Sequence, residues 1–190
     1  MLDNSKLIRA FCPDKDDGDT FIYTEMLDRG QRKGNNGQRL LKTFYHRSRE
    51  EFDNQFETIK KLCDMSQVRA MTRLAPRSYK KVAGTFLRLV TETYITQNYA
   101  GMKTLYNRAC GTTTPTTKLW LVDCDSPDEY KLASTFEDKA KSLGGVWFSI
   151  PSKKGTHIIC SPFDMRLWPF PNIGIHKDNP TNLYIPDGAD

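Results

Sequence analysis

Two stretches decide the fold of this chain: Lys118-Leu119-Trp120-Leu121-Val122-Asp123-Cys124-Asp125 and Val146-Trp147-Phe148-Ser149-Ile150-Pro151-Ser152-Lys153-Lys154-Gly155-Thr156-His157-Ile158-Ile159-Cys160. In the first, Leu119 to Val122 suits a strand buried on both faces, and it ends in two carboxylates separated by one residue. Strand side chains alternate between faces, so Asp123 and Asp125 are expected on the same one. In the second, Val146 to Ile150 and His157 to Cys160 read as strands joined by a Ser-Lys-Lys-Gly turn, with the histidine just past it. Between the two stretches, Ser126 is a predicted N-cap, Pro127 fits the first helical position and Glu129 completes a capping box. Leu132, Phe136, Ala140 and Leu143 form the expected buried stripe of that helix, and Gly144 its end.

Upstream, Ser48-Arg49-Glu50-Glu51 is a second capping box, followed by Phe52, Phe56, Ile59 and Cys63 at helical spacing. Ser78 caps a third predicted helix whose apolar side includes Val82, Phe86, Leu89 and Val90. Strands are predicted at Phe21 to Tyr23, Leu40 to Tyr45 and Val68 to Leu74, the last with Arg69 and Arg73 on one face. The segment after Cys160 holds Pro162, Pro169, Pro171 and Pro180 and reads as irregular apart from Leu183-Tyr184-Ile185. This order predicts an α+β fold, a mostly antiparallel sheet with flanking helices on one side. Its second half, β-α-β-β, is part of an RRM- or ferredoxin-like core. Residues 1–20 are expected to be a flexible acidic arm and 21–190 a single α+β domain, with 118–178 as its catalytic-type core. The aspartates of the arm lack the ligand order and terminal glutamate of a calcium loop.

At 190 residues, 38% hydrophobic and 27% charged, the chain can bury a core and is not of disordered composition. No apolar run approaches the roughly 18 residues of a membrane span. The opening Met1-Leu2-Asp3-Asn4-Ser5-Lys6 lacks a signal-peptide pattern, so a cytoplasmic protein without a membrane partner is expected. The five cysteines are scattered and form no CxxC, which argues for reduced thiols and against a disulfide framework or zinc site. Charge is unevenly placed: seven Lys or Arg and no acid from Arg29 to Arg49, and six with no acid from Met65 to Thr91. Two basic stretches suit a polyanion such as a nucleic acid, and equally a solvated basic face. Arg69, Arg73, Arg77, Lys80 and Lys81 are the candidates for contacting its backbone. Arg32 and Lys33 join them from the Gly- and Asn-rich loop Arg29 to Arg39, which lacks the order of a P-loop. Trp147, Phe148, Phe44 and Tyr45 are candidate base stackers, although Phe44 and Phe148 fit a core better.

Asp123 and Asp125 on one face repel each other, and a hard cation, Mg2+ or Mn2+, relieves that repulsion. Such ions align a nucleoside triphosphate with an attacking hydroxyl. Gly155 leaves room for a phosphate near the backbone, and His157, with Lys153 or Lys154, offers donors to it. The run Leu119-Trp120-Leu121-Val122-Asp123-Cys124-Asp125, the helix, and Ser152-Lys153-Lys154-Gly155-Thr156-His157-Ile158-Ile159 together resemble the archaeo-eukaryotic primase superfamily. Members of that superfamily show a strand ending in DxD and a later S-x-x-G-x-H strand. The resemblance covers about a third of the chain. It implies metal-dependent nucleotidyl transfer, with Asp123 and Asp125 as catalytic metal ligands, His157 on the phosphates of the incoming nucleotide, and Ser152 and Lys153 lining the same site. It further implies a third acid, for which Asp178 is the first candidate and Asp164 the second. Nucleoside triphosphates, a single strand or primer-template, and a helicase or other replication protein are the implied partners, in the setting of a phage or mobile element. Two other functions fit the same residues: a non-catalytic nucleic-acid or nucleotide binding protein, and a metal-dependent nuclease using Asp123, Asp125 and His157.

Overall fold

The structure is a computed structural model that describes residues 1–28 and 39–189. In chain order its elements are β1 (Leu2–Asp3), α1 (Ser5–Arg9), β2 (Thr20–Asp28), β3 (Arg39–His46), α2 (Arg49–Ser66), β4 (Arg69–Ser78), α3 (Tyr79–Thr96) and α4 (Leu105–Thr112). The second half supplies β5 (Trp120–Cys124), α5 (Pro127–Ser134), α6 (Glu137–Ser142), β6 (Trp147–Pro151), β7 (Thr156–Cys160), β8 (Gly174–Lys177) and β9 (Thr181–Ile185).

The expected single sheet is in fact two antiparallel sheets. One has the order β1-β9-β4-β2-β3 and the other β6-β7-β5-β8. The last strand, β9, returns to the first sheet and lies between β1 and β4, a long-range pairing with no local signal. Helices cover both faces of the five-stranded sheet, not one. Ile22, Met26, Ala70 and Leu74 pack with Phe52, Ile59 and Cys63 of α2. Phe21 and Tyr23, of opposite parity, pack with Val82 and Leu89 of α3 and with Leu105 and Ala109 of α4. The four-stranded sheet buries Val122, Cys124, Ile158 and Cys160 under Ala133, Phe136 and Ala140. On its other face, Leu121 and Ile159 join the larger core.

The predicted caps form. The hydroxyls of Ser48, Ser78 and Ser126 accept from the backbone N–H groups of Glu51, Lys81 and Glu129 at 3.1, 3.2 and 3.2 Å. The helix after Ser126 departs from expectation by breaking in two. The break at Thr135 and Phe136 shifts its phase, so Phe136 and Ala140 stay buried with Ala133 while Leu132 and Leu143 face solvent. All five cysteines are buried free thiols.

The first twenty residues are not a loose arm. Leu2 pairs with Ile185, and the backbone N–H of Asn4 donates to the carbonyl of Leu183 at 2.9 Å. The Asn4 amide donates to the carbonyls of Pro151 and Asn182, both at 2.8 Å, and so ties the two sheets together. Ile8 and Cys12 are buried in the main core. One helical turn is too short to show periodicity, which is why the sequence hides this docking. Among the described residues no helix is long and apolar enough to cross a membrane.

Two outcomes follow. Ile8→Ala is expected to cost about 2–5 kcal/mol in urea unfolding, as for a buried aliphatic side chain; a loose arm would give no change. His46 is fully buried, with Nε2 hydrogen-bonded to the Thr24 hydroxyl at 2.8 Å. Burial pushes its pKa down to about 4. The unfolded chain therefore binds a proton that the folded chain does not between pH ~6.5 and ~4, and folding stability falls as pH drops through that window. Urea midpoints against pH should show this slope, and His46→Gln should flatten it.

Candidate functional site

The face of the four-stranded sheet that is apolar at Leu121 and Ile159 turns polar at Asp123 and His157. There it opens into a cleft of about 780 Å³ facing the five-stranded sheet. That size lies in the roughly 300–1,000 Å³ range of small-molecule pockets. One wall carries Asp123, Asp125, His157 and His176, with Ser152, Lys153 and Lys154 at its rim. The other carries Glu25, Arg69, Arg73 and Asn182.

Asp123 and His157 are direct cross-strand partners on β5 and β7. His157 Nε2 stands 3.4 Å from Asp123 Oδ1, and its Nδ1 is 2.8 Å from the hydroxyl of Thr181 on β9. The imidazole is thus nine-tenths buried and held from both sides. Asp123 is half-buried and Asp125, just past the strand end, is exposed. The backbone N–H of Asp125 donates to Glu129 at 2.8 Å, so the capping box of α5 also fixes the chain at the second carboxylate. Cys124, between the two, faces the core, and burial pushes its thiol up to about 11.

The Ser152–Gly155 turn closes on itself: the N–H of Ser152 donates to the Gly155 carbonyl at 2.9 Å and that of Gly155 to the Ser152 hydroxyl at 3.0 Å. Gly155 has a packing role that its sequence context does not announce. A Cβ there would lie 2.1 Å from the carbonyl oxygen of Cys124. The glycine lets the turn press onto the backbone at the aspartates. Lys153 Nζ donates to the carbonyl of Ala189 at 2.9 Å.

Arg69 and Arg73 reach the cleft from one face of β4, as their shared parity predicts. Arg73 pairs with Glu25 at 3.3 Å. Arg77 does not reach it. Its guanidinium is fully buried, donating to the carbonyls of Cys110 and Ala75, each at 3.0 Å, and pairing with Asp178. This corrects two expectations together. Asp178, with a left-handed φ of 63°, is held by Arg77 and Arg73 and does not line the cleft. Asp164 is likewise taken up locally, by the side chain of Arg166 at 2.6 Å. Lys80 and Lys81 lie in the first turn of α3, where the Lys80 N–H donates to Asp19 at 2.8 Å, away from the cleft lining. Arg32 and Lys33 lie outside the described residues.

None of the aromatic candidates lines the cleft. Phe44 and Trp147 are core. Tyr45 donates its hydroxyl to Asn107 at 2.8 Å. Phe148, expected in the core, is 51% exposed, with its ring 5.4 Å from Phe11.

Sequence reasoning missed three contributors. Thr181 and Asn182 are buried polar residues on β9, with no local signal of their use. His176 belongs to β8, hidden by the prolines around it, although Ile173-Gly174-Ile175-His176 alternates as a strand should. Gly174 stands directly opposite Asp123, and a Cβ on it would meet His176 Nε2 at 3.3 Å. The imidazole of His176 therefore leans over the position beside Asp123.

Among the described residues, no three His, Cys, Asp or Glu side chains are gathered as a ready-made metal cage. The donor set still fits Mg2+ or Mn2+. Mg2+ typically takes one or two carboxylates and completes its shell with water and substrate phosphates, and Asp123 and Asp125 offer such a pair at a solvent-open edge. No protein-family model, curated protein or solved structure matches the chain.

The glycine contact makes a prediction. Gly155→Ala should displace the turn, lowering the unfolding midpoint and weakening ligand binding in the cleft. Gly84→Ala, in mid-helix with open space around it, should instead stabilise by about 0.5–1 kcal/mol.

Proposed function

We propose that this cleft is a metal-dependent nucleotidyl-transfer site of the archaeo-eukaryotic primase type, joining nucleoside triphosphates to nucleic acid. The observation that carries the reading is the direct pairing of Asp123 with His157 inside one cleft that also takes in Asp125, Ser152, Lys153 and Lys154. Those are the two separate motifs on which the resemblance rests. The strand order β6-β7-β5-β8 adds support. The first and third strands of a β-α-β-β run are central and adjacent there, as an RRM- or ferredoxin-like core requires.

Bound Mg2+ or Mn2+ supplies charge neutralisation and a lowered pKa for the attacking hydroxyl. Asp123 and Asp125 hold the ion. Ser152 and Lys153, with Lys154, form the phosphate end, and Gly155 sets that turn against the strand carrying the aspartates. Arg69 and Arg73 on the facing wall attract the nucleic-acid backbone, an attraction that weakens steeply with salt.

One observation favours a second reading. Asp178 is committed to Arg77, so the first candidate for the third acid implied by the resemblance does not line the cleft. A binding protein that keeps the fold without catalysis has that property.

Labelled single strands and a primer-template, incubated with nucleoside triphosphates and Mg2+ or Mn2+, separate the readings. Strand growth is expected, falling to background in Asp123→Ala with folding intact. Strands that only shift in a salt-sensitive way, equally in Asp123→Ala, would select the binding protein. Shortening without added nucleotides would select a nuclease.

A further inference from the structure

We infer that His157 acts chiefly on Asp123 and that Thr181 is the residue that positions it: a relay of hydroxyl, imidazole and carboxylate that orients a metal ligand. The inference rests on the metal-site reading above, but it differs from what the resemblance implies, which gives His157 to the phosphates.

The geometry is specific. Thr181 is fully buried on β9, in the five-stranded sheet, while His157 and Asp123 belong to the four-stranded one. The Thr181 hydroxyl lies 2.8 Å from Nδ1, and Nε2 lies 3.4 Å from Asp123 Oδ1. An ionised carboxylate only accepts hydrogen bonds. When the neutral ring carries its proton on Nε2, facing Asp123, the Thr181 hydroxyl donates to Nδ1. The hydroxyl can then hold the ring from the side opposite the carboxylate. Because the ring is nine-tenths buried, it cannot turn to a phosphate without giving up both partners. The consequence is an imidazole held beside the Asp123 carboxylate across the junction of two sheets. Partners that orient a metal ligand in this way typically account for about 10–100-fold in metal affinity.

The test is Mn2+ binding followed by electron paramagnetic resonance, with ATP binding in EDTA measured in parallel, on the whole chain. Thr181→Val should weaken Mn2+ about 10–100-fold while leaving metal-free ATP binding unchanged, and Thr181→Ser should restore it. His157→Gln should likewise weaken Mn2+ more than metal-free ATP. Wild-type Mn2+ affinity in Thr181→Val overturns the relay. So does a His157→Gln protein that keeps Mn2+ and loses metal-free ATP, the mark of a phosphate ligand. If Thr181→Val fails to unfold cooperatively, His157→Gln decides by the same criterion. A wild-type chain that binds no Mn2+ refutes the metal site itself, and the relay with it.

Discussion

Asp123 faces His157 because β5 and β7 pair antiparallel in one register, and the site depends on that register. Side chains on a strand have a period of two, so a slip of one residue would send Asp123 into the core beneath α5 and bring Cys124 to the cleft. Burial prevents the slip. Val122 and Cys124 are sealed with Ile158 and Cys160 on one face, while Leu121 and Ile159 are sealed on the other. With apolar side chains required on both faces, only the last residue or two of each strand is free to be polar. The carboxylates and the histidine occupy those ends, which is also where the two sheets part and solvent can enter.

The junction between the sheets explains where Asp178 went. It lies in the turn from β8, in the four-stranded sheet, to β9, in the five-stranded one. There it meets Arg77 and Arg73 from β4. Arg77 is wholly buried, and a guanidinium without water needs a carboxylate and several carbonyls to be tolerable. Removing one partner from such a pair costs more than the pair contributes. Asp178 thus serves to let the chain cross between sheets, and a residue bound to that duty cannot also hold a cation in the cleft.

What the sequence shows of this molecule is what local chemistry controls. Ser48, Ser78 and Ser126 announce their helices because a cap is a contact over three residues. The parity of Asp123 with Asp125, and of Arg69 with Arg73, follows from the pleat alone. What depends on distant partners is hidden. Nothing near Ile8 shows that one turn of helix seals the main core, and nothing near Asp178 shows that Arg77, a hundred residues earlier, will claim it. Nothing in Thr181-Asn182-Leu183 shows that the strand crosses to the first sheet and leaves a hydroxyl against His157. Phe148 and Leu132 mislead for a related reason: their hydrophobicity fits a core, but an edge strand and a broken helix turn them outward.

The carboxylates in and around the cleft sort by how much water each retains, and that decides which can serve a ligand. Asp178 sits against a wholly buried guanidinium and takes a covalently fixed cation as its partner. Glu25, shielded on the facing wall, pairs with Arg73. Asp123 is half-buried beside an imidazole, and Asp125 is exposed. Two like charges near each other are costly in a dry interior and mild where water screens them. The strand end is therefore a place where water screens the pair. The same edge that makes the aspartates tolerable keeps them open to solvent, whereas a carboxylate moved deeper, like Asp178 and Glu25, would demand an arginine of its own.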